Sequence, residues 1–175
     1  MKMLFSIALA GVILTACNTA DKPAETKEEP VASTVELPYT ADFSSNVNQD
    51  VSDQDLLTVL NSYKSWENGD IAALRATLAD SVSFNAWDGF KYEGPSDGLM
   101  ERWSASRDSL SSVTIKMHAW TKNHFVDRDT DVIVVWYTEI DTSKDGKIDS
   151  ATWSDINLVK DGKISWYSQY RQTMK

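Results

Sequence analysis

The chain has 175 residues and a formal net charge of −9, from 26 acidic and 17 basic side chains. That length allows one domain with a sizeable core, and the acidic balance argues against the phosphate-binding surface of a nucleic-acid-binding protein. The single cysteine leaves no partner for an intrachain disulfide.

The first 16 residues have the features of a secretory signal peptide. Lys2 supplies a positive charge, and the apolar run 4–14 is too short to span a bilayer comfortably. The next residues, Leu14-Thr15-Ala16-Cys17, resemble the lipobox at which bacterial lipoproteins are cut before a lipidated cysteine. We therefore predict a signal peptide over residues 1–16, lipidation of Cys17 and a lipid anchor in a bacterial membrane. An ordinary signal peptide with a chance cysteine is the alternative.

Residues 17–50 are predicted to be the lipidated cysteine and a flexible tether, because their Pro, Glu, Lys, Ser and Thr content cannot form a core. Asn18 stands where an aspartate retains enterobacterial lipoproteins at the inner membrane, which favours the outer membrane of the cell envelope, facing the periplasm or the exterior. Tyr39 and Phe43 could contact the domain or a partner. The domain itself is predicted over residues 51–175.

Three helices are predicted at the start of the domain. The first begins at Ser52 and ends at Gly69. Its apolar residues recur at helical spacing: Leu56, Val59, Leu60, Tyr63 and Trp66. Asp70 can cap a short second helix, and Gly94-Pro95 precedes a third helix whose apolar stripe includes Trp103.

Strands are predicted for most of the remaining chain. Residues 81–87 alternate weakly, and after Ser112 the apolar period changes to two. Residues 132–140 are apolar on both faces, as in a central strand. Asp145-Gly146 and Asp161-Gly162 favour two-residue turns with positive φ, and they predict two successive hairpins. Helices followed by a run of antiparallel strands define an α+β fold class.

The two turns together predict which side chains share a face of the sheet. If both are two-residue turns, Asp155 pairs with Trp136 on one side and with Ser168 on the other. One face then carries an aromatic surface with polar groups: Trp136, Trp153, Asp155, Trp166, Ser168 and Tyr170. The other face carries apolar residues that could support a homodimer: Val135, Tyr137, Ile156, Leu158 and Tyr167. A single bulge would turn one strand over relative to its neighbour.

The chain resembles the SnoaL-like branch of the nuclear transport factor 2-like superfamily. The resemblance is carried by this element order and by two segments, LNSYKSWENGDIAALRATLADSVSF and LVKDGKISWYSQYRQ. The resemblance covers roughly residues 51–172. It implies a curved antiparallel β-sheet wrapped around about three N-terminal helices, an apolar conical pocket and often a dimer. Members include isomerases, cyclases, dehydratases, hydrolases and binding modules, so the fold does not settle function. Many members place an acidic residue near the end of the last strand, where this chain has Gln172.

Asp155 is the candidate catalytic residue, since desolvation on an aromatic face would raise its pKa and suit it to proton transfer. A solvated or hydrogen-bonded aspartate at the sheet rim is the alternative. The predicted ligand-binding residues are Trp103, Trp136, Trp153, Trp166, Ser168 and Tyr170, with core packing as the alternative role of the tryptophans. We predict an envelope lipoprotein that binds a small, largely apolar molecule. A proton-transfer isomerase, cyclase or dehydratase and a non-catalytic dimeric interaction module are the competing interpretations.

No metal or other cofactor is predicted. His118 and His124 lack the short spacing of paired metal ligands. The run from Asp141 to Asp149 matches the start of a calcium loop, but Thr152 stands where a bidentate glutamate is needed. A hairpin turn explains the same residues.

Overall fold

A computed structural model describes residues 36–39, 43–45, 51–125 and 129–173. All of them belong to the compact unit Ser33–Lys175, so the predicted signal peptide and Cys17 lie outside the described residues. The helices are α1 (Asp53–Asn68), α2 (Ile71–Thr77) and α3 (Ser96–Asp108). The strands are β1 (Phe43–Ser45), β2 (Leu78–Asn85), β3 (Lys91–Pro95), β4 (Leu110–Phe125), β5 (Thr130–Ser143), β6 (Ile148–Lys160) and β7 (Lys163–Thr173).

The helix boundaries follow local signals in the sequence. The Ser52 hydroxyl accepts a hydrogen bond from the Gln54 N–H at 3.0 Å and so caps α1. Gly69 ends the helix with φ 73°, a left-handed conformation that glycine adopts without steric cost. Asp70 caps α2 through the Ala73 N–H at 2.9 Å. The predicted apolar stripe of α1 is confirmed, because Leu56, Val59, Leu60 and Tyr63 are all buried.

The described strands form one curved, unclosed sheet in the order β1-β4-β5-β6-β7-β2-β3. Most neighbours are antiparallel, but β1 pairs with β4 and β2 pairs with β7 in parallel. The three helices pack on one side of this sheet and share its core. The α+β class and the conical architecture are therefore confirmed, with a mixed sheet where an antiparallel one was predicted. The pattern had not predicted β1 or β3.

The last hairpin has the predicted turn but not the predicted register. Asp161 and Gly162 have φ of 51° and 71°, and Lys160 pairs with Lys163, as in a type I′ turn. Beyond Ile164 the β6–β7 register then shifts, and Ser165 is the extra residue of a β-bulge. Each later residue of β7 is displaced by one position, so that Asp155 pairs with Gln169 instead of Ser168.

The β5–β6 connection differs for a related reason. The Ser143 N–H donates to the Lys147 carbonyl at 2.8 Å, so the loop between these two residues contains three residues and not two. Gly146, the last of the three, has φ 85°. The additional loop residue moves the register by one. Trp136 therefore pairs with Ser154, and Val135 takes the place opposite Asp155.

These two shifts make the predicted aromatic face wrong. Trp136, Trp166, Ser168 and Tyr170 lie on the face of the sheet opposite to Asp155. Trp136 is 37% exposed and Tyr170 is 56% exposed on this outer face. Three residues assigned to the outer face instead point toward the helices: Val135, Tyr137 and Tyr167. The inner, concave face keeps Trp153 and Asp155, because β6 itself was placed correctly.

Part of the predicted tether contacts the domain. Leu37 and Tyr39 are partly buried against the core, and the Tyr39 hydroxyl donates to Glu67 at 2.9 Å. Strand β1 adds to the sheet edge beside β4. Within the described ranges, the helices are all too short or too polar to cross a bilayer.

Candidate functional site

A cavity of about 690 Å³ lies between the helices and the concave face of the sheet. This volume is in the range of small-molecule sites. Its wall is largely aromatic: Trp66, Phe84, Trp103, Tyr137, Trp153 and Tyr167. Two of the predicted ligand-binding residues, Trp103 and Trp153, therefore line the cavity. The other four do not, because the register shifts turn them outward.

The aromatic wall is ordered by contacts between its own rings. The Tyr167 ring stacks on Phe84 with 5.3 Å between centroids, and Trp103 meets Phe84 edge to face at 5.3 Å. Tyr137 and Trp153, neighbours on β5 and β6, are nearly parallel at 6.3 Å. Such pairs add to the free energy gained by burying the rings. The wall is thus a fixed surface to which a flat apolar molecule could bind.

Behind this wall, Asp155 collects three tyrosine hydroxyls on one oxygen. Its Oδ2 accepts hydrogen bonds from Tyr63 at 3.0 Å, Tyr137 at 2.8 Å and Tyr167 at 2.6 Å. Asp155 is fully buried and does not itself line the cavity, whereas the three tyrosines do. The carboxyl group therefore reaches the cavity only through the phenol groups that it orients.

Burial raises the pKa of Asp155 from 3.8 to about 6, and hydrogen bonds from Tyr167, Tyr137 and Tyr63 limit that rise. Its Oδ1 is buried and accepts no well-formed hydrogen bond among the described residues, although the Tyr170 backbone lies close enough to lower the carboxyl's pKa. Burial and the nearby carboxylate raise the pKa of each tyrosine well above its usual value. The phenols thus stay protonated and donate to a carboxylate at neutral pH.

Two amide side chains hold this cluster in place. Asn157 Nδ2 donates to the Tyr63 hydroxyl at 3.3 Å and to the Ile133 carbonyl at 3.2 Å. Gln169 Nε2 donates to the Tyr167 hydroxyl at 2.9 Å. Two of the three phenol oxygens therefore both donate and accept, so their orientations are fixed from both sides.

Two acidic side chains of β5, Glu139 and Asp141, also line the cavity. Glu139 and Asp141 are two residues apart on one strand, point to the same face and share a hydrogen bond. Burial, followed by the charge of Asp141, raises the pKa of Glu139 well above its usual value. The Trp66 indole also donates to Glu139. Burial also raises the pKa of Asp141, but the hydrogen bond from Glu139 lowers it. The shared proton therefore resides on Glu139, and Asp141 carries the negative charge.

Sequence reasoning missed this carboxyl pair. Because the predicted register placed Tyr137 on the outer face, Glu139 and Asp141, which share its side of β5, were not examined as cavity residues. The signal was present in the two-residue spacing of Tyr137, Glu139 and Asp141. This spacing places the three side chains on one face, but the length of the β5–β6 loop decides which face that is.

Arg171 brings a cation to the same part of the wall. Its guanidinium lies 4.8 Å from the Trp87 ring centroid and 5.5 Å from that of Trp153, and it donates to Asp149 at 2.6 Å. Trp153 is only 8% exposed, and its indole Nε1 has no hydrogen-bond partner among the described residues. The wall thus holds a cation against indole rings and presents one indole donor without an acceptor.

Within the described ranges, no group of three or more His, Cys, Asp or Glu side chains is arranged to hold a metal ion. His118 Nε2 lies 2.8 Å from the Thr138 hydroxyl, and His124 Nδ1 lies 2.7 Å from Asp131.

No protein-family model and no curated protein matches the chain, but solved structures do. An LEH-like epoxide hydrolase from M. tuberculosis is 12% identical with a TM-score of 0.58, covering 69% of this chain and 84% of that one. An NTF2-like protein of unknown function from Exiguobacterium sp. 255-15 is 16% identical with a TM-score of 0.56, covering 67% and 99%. TerC, co-crystallised with polyporic acid, is 17% identical with a TM-score of 0.54, covering 68% and 92%.

Identities this low establish the fold and not the activity. The chain therefore has the nuclear transport factor 2-like fold, as its sequence pattern had indicated. Proteins of this fold include enzymes, so the site itself has to indicate the function.

Proposed function

We propose that the protein binds a small, largely apolar molecule in the cavity of the cone. The observation that carries this proposal is the 690 Å³ cavity with its fixed aromatic wall. A ligand that covers this aromatic surface removes it from water, and each Å² of apolar surface buried in this way contributes about 25 cal/mol to the binding free energy. TerC, which shares the fold, was crystallised with polyporic acid, and that supports a ligand-binding role for this architecture.

The test is quenching of tryptophan fluorescence by a neutral apolar dye such as N-phenyl-1-naphthylamine. Ala86 lines the cavity, so Ala86→Phe should fill part of it and abolish saturable quenching. Ala72 is exposed on α2, and Ala72→Phe is the matched control that should bind as the wild type does. Saturable binding that survives Ala86→Phe unchanged would place the ligand elsewhere.

We further propose that the domain is held at a bacterial membrane by a lipid on Cys17, in the cell envelope. The support is the sequence of residues 1–17, with its short apolar run and lipobox-like end. Cys17→Ser should release the protein from the membrane fraction. If the variant still floats with membranes in a sucrose gradient, the lipoprotein proposal is wrong.

A proton-transfer enzyme is the second candidate, favoured by the buried Asp155 carboxyl and the three phenols that connect it to the cavity. In that case a tyrosine hydroxyl would take a proton from the substrate and pass its own proton along its hydrogen bond to the Asp155 carboxylate. The test is to incubate the molecule that co-purifies from the native host with fresh protein and follow it by mass spectrometry and NMR. Conversion by the wild type that Tyr167→Phe slows would establish catalysis, and recovery of an unchanged molecule would leave binding alone.

A further inference from the structure

We propose that the ligand of this cavity is an organic amine, bound as a cation between indole rings and the carboxylate of Asp141. This inference rests on the proposed binding function and specifies the chemical class of the ligand. It is carried by the polar atoms and charges of the wall.

The described residues leave one carboxylate oxygen of the cavity wall without a hydrogen-bond donor. Asp141 lines the cavity, and its Oδ1 is buried with no hydrogen-bond partner among the described residues. Burial raises the pKa of Asp141 and the charges of Arg107 and Arg171 lower it, but neither cation donates to Oδ1. Arg107 donates to the Trp66 and Glu67 carbonyls at 2.9 and 3.1 Å, and Arg171 donates to Asp149. A buried charged acceptor without a donor is costly. An ammonium group supplies both the missing donor and the opposite charge.

The same wall already holds a cation, the Arg171 guanidinium, between indole rings and a carboxylate. Arg171 places its guanidinium over Trp87 and Trp153 and pairs with the Asp149 carboxylate. The Glu139–Asp141 pair repeats this combination with the Trp66 indole beside it. Carboxylate and indole together are the groups that recognise organic ammonium ions.

The indole N–H of Trp153 is buried in the cavity wall and has no partner among the described residues. It donates and cannot accept, so the complementary ligand also carries an oxygen or nitrogen acceptor. The ligand class is therefore an apolar amine with a hydroxyl, carbonyl or similar acceptor on its frame.

The charge balance of the cavity also favours a cation. Its charged lining residues are Asp88, Arg102, Glu139, Asp141, Asp149 and Arg171. With Glu139 protonated, one carboxylate exceeds the two arginines, and the Asp155 carboxylate stands behind the wall. This potential attracts cations and disfavours anionic ligands.

The experiment compares three probes with one ring system, 2-naphthylmethylamine, 2-naphthylmethanol and 2-naphthoate, by isothermal titration calorimetry at neutral pH on the whole protein. We expect the dissociation constant of the amine to be about tenfold lower than that of the alcohol. This difference is what one partly desolvated cation–π and carboxylate contact would contribute. The carboxylate should bind most weakly.

Variants separate the charge from the shape of the site. Glu139→Gln keeps the charge, since Glu139 carries the shared proton, and should retain the preference for the amine. Glu139→Gln combined with Asp141→Asn removes the charge and should bind the amine and the alcohol alike. Glu101→Gln combined with Asp108→Asn changes two exposed acidic residues of α3 and is the control that should retain the preference.

The outcomes distinguish this inference from the binding function. Binding of the alcohol without preference for the amine, or tightest binding of naphthoate, overturns the amine inference and leaves the apolar site in place. If the variant that combines Glu139→Gln with Asp141→Asn still prefers the amine to the alcohol, another group attracts the ammonium ion. That result also overturns the amine inference. If neither these probes nor the neutral dye bind, the proposed binding function fails and the inference fails with it.

Discussion

Tyr167 donates its hydroxyl to Asp155 Oδ2 at 2.6 Å, although the two residues are not paired in the sheet. Tyr167 pairs with Asn157, so its ring leans along the strand direction to reach the carboxyl group. Through this bond the last strand is connected to the buried charge at the centre of the domain. The same charge also holds Tyr63 of α1 and Tyr137 of β5. Asp155 thus connects helix α1 with the three strands β5, β6 and β7.

We predict that Asp155→Ala destabilises the domain by at least about 4 kcal/mol, because three buried phenols lose their acceptor and each orphaned group costs about 1–3 kcal/mol. Asp155→Asn retains an acceptor oxygen and should cost about half as much. The measurement is urea unfolding followed by tryptophan fluorescence. Tyr170→Phe, which changes an exposed hydroxyl, is the control with no expected effect. Equal stability of the alanine and asparagine variants would contradict this account.

The stability of the domain should fall as pH rises from about 4 to about 6. Burial raises the pKa of Asp155 from 3.8 to about 6, so in this interval the folded protein keeps a proton that the unfolded chain has released. The loss is about 3 kcal/mol and persists at higher pH. Glu139, whose pKa burial and Asp141 raise well above its usual value, extends the decline to higher pH.

Variants test this assignment through unfolding free energies measured across the pH range. In Asp155→Asn the decline between pH 4 and 6 should become shallower. A remainder should persist because burial and Asp131 also raise the pKa of the partly exposed Asp55 to about 6. Glu139→Gln should keep the decline and lose its continuation at higher pH. A wild-type profile in the Asp155→Asn protein would show that another group titrates there.

The bulge at Ser165 should be removable without a change in the register of β7. Val159 pairs with Ile164 and Leu158 pairs with Trp166, so Ser165 is the one residue between them that has no partner in β6. Deleting Ser165 would therefore keep Tyr167 on the face of Asp155, and we expect the cooperative unfolding transition in circular dichroism to persist. Ser165→Ala keeps the bulge and loses one 3.4 Å hydrogen bond to the Leu158 carbonyl, so it should cost no more than about 1 kcal/mol. Loss of the cooperative transition in the deletion variant would mean that the fold requires the bulge itself.

The fold could be predicted from the sequence because its signals are local. The Gly69 stop, the Asp70 cap and the Asp161-Gly162 turn each act over a few residues and were placed correctly. Trp153 and Asp155 were also assigned to the pocket side correctly, since the two residues share a face of β6.

The site could be predicted only in part, because register is not a local property. One extra residue in a loop and one in a bulge reversed β5 and β7 relative to β6. The residue types at Ser165 and in the loop before Lys147 did not predict that the bulge and the loop each contain one extra residue. As a result Trp136 and Tyr170 were placed in the pocket, while the Glu139–Asp141 pair was missed.

The outer face offers the last prediction. Trp136 and Tyr170 flank Ser154 in one row of that face, and both are substantially exposed. Ile140 and Ile148, toward the β5–β6 loop, are 40% and 66% exposed. Large apolar side chains exposed together on one face are typical of interaction sites, and we propose that this face pairs with a second copy of the chain.

Sedimentation equilibrium on the unit Ser33–Lys175 should then give twice the monomer mass at micromolar concentration. Trp136→Glu should yield the monomer, because two like charges would meet near the two-fold axis of a self-complementary interface. Phe125, at the far end of β4, is 46% exposed, and Phe125→Glu is the matched control that should remain a dimer. A wild-type monomer at every concentration would contradict the pairing. Dissociation by Phe125→Glu with a dimeric Trp136→Glu variant would move the interface to the opposite end of the sheet.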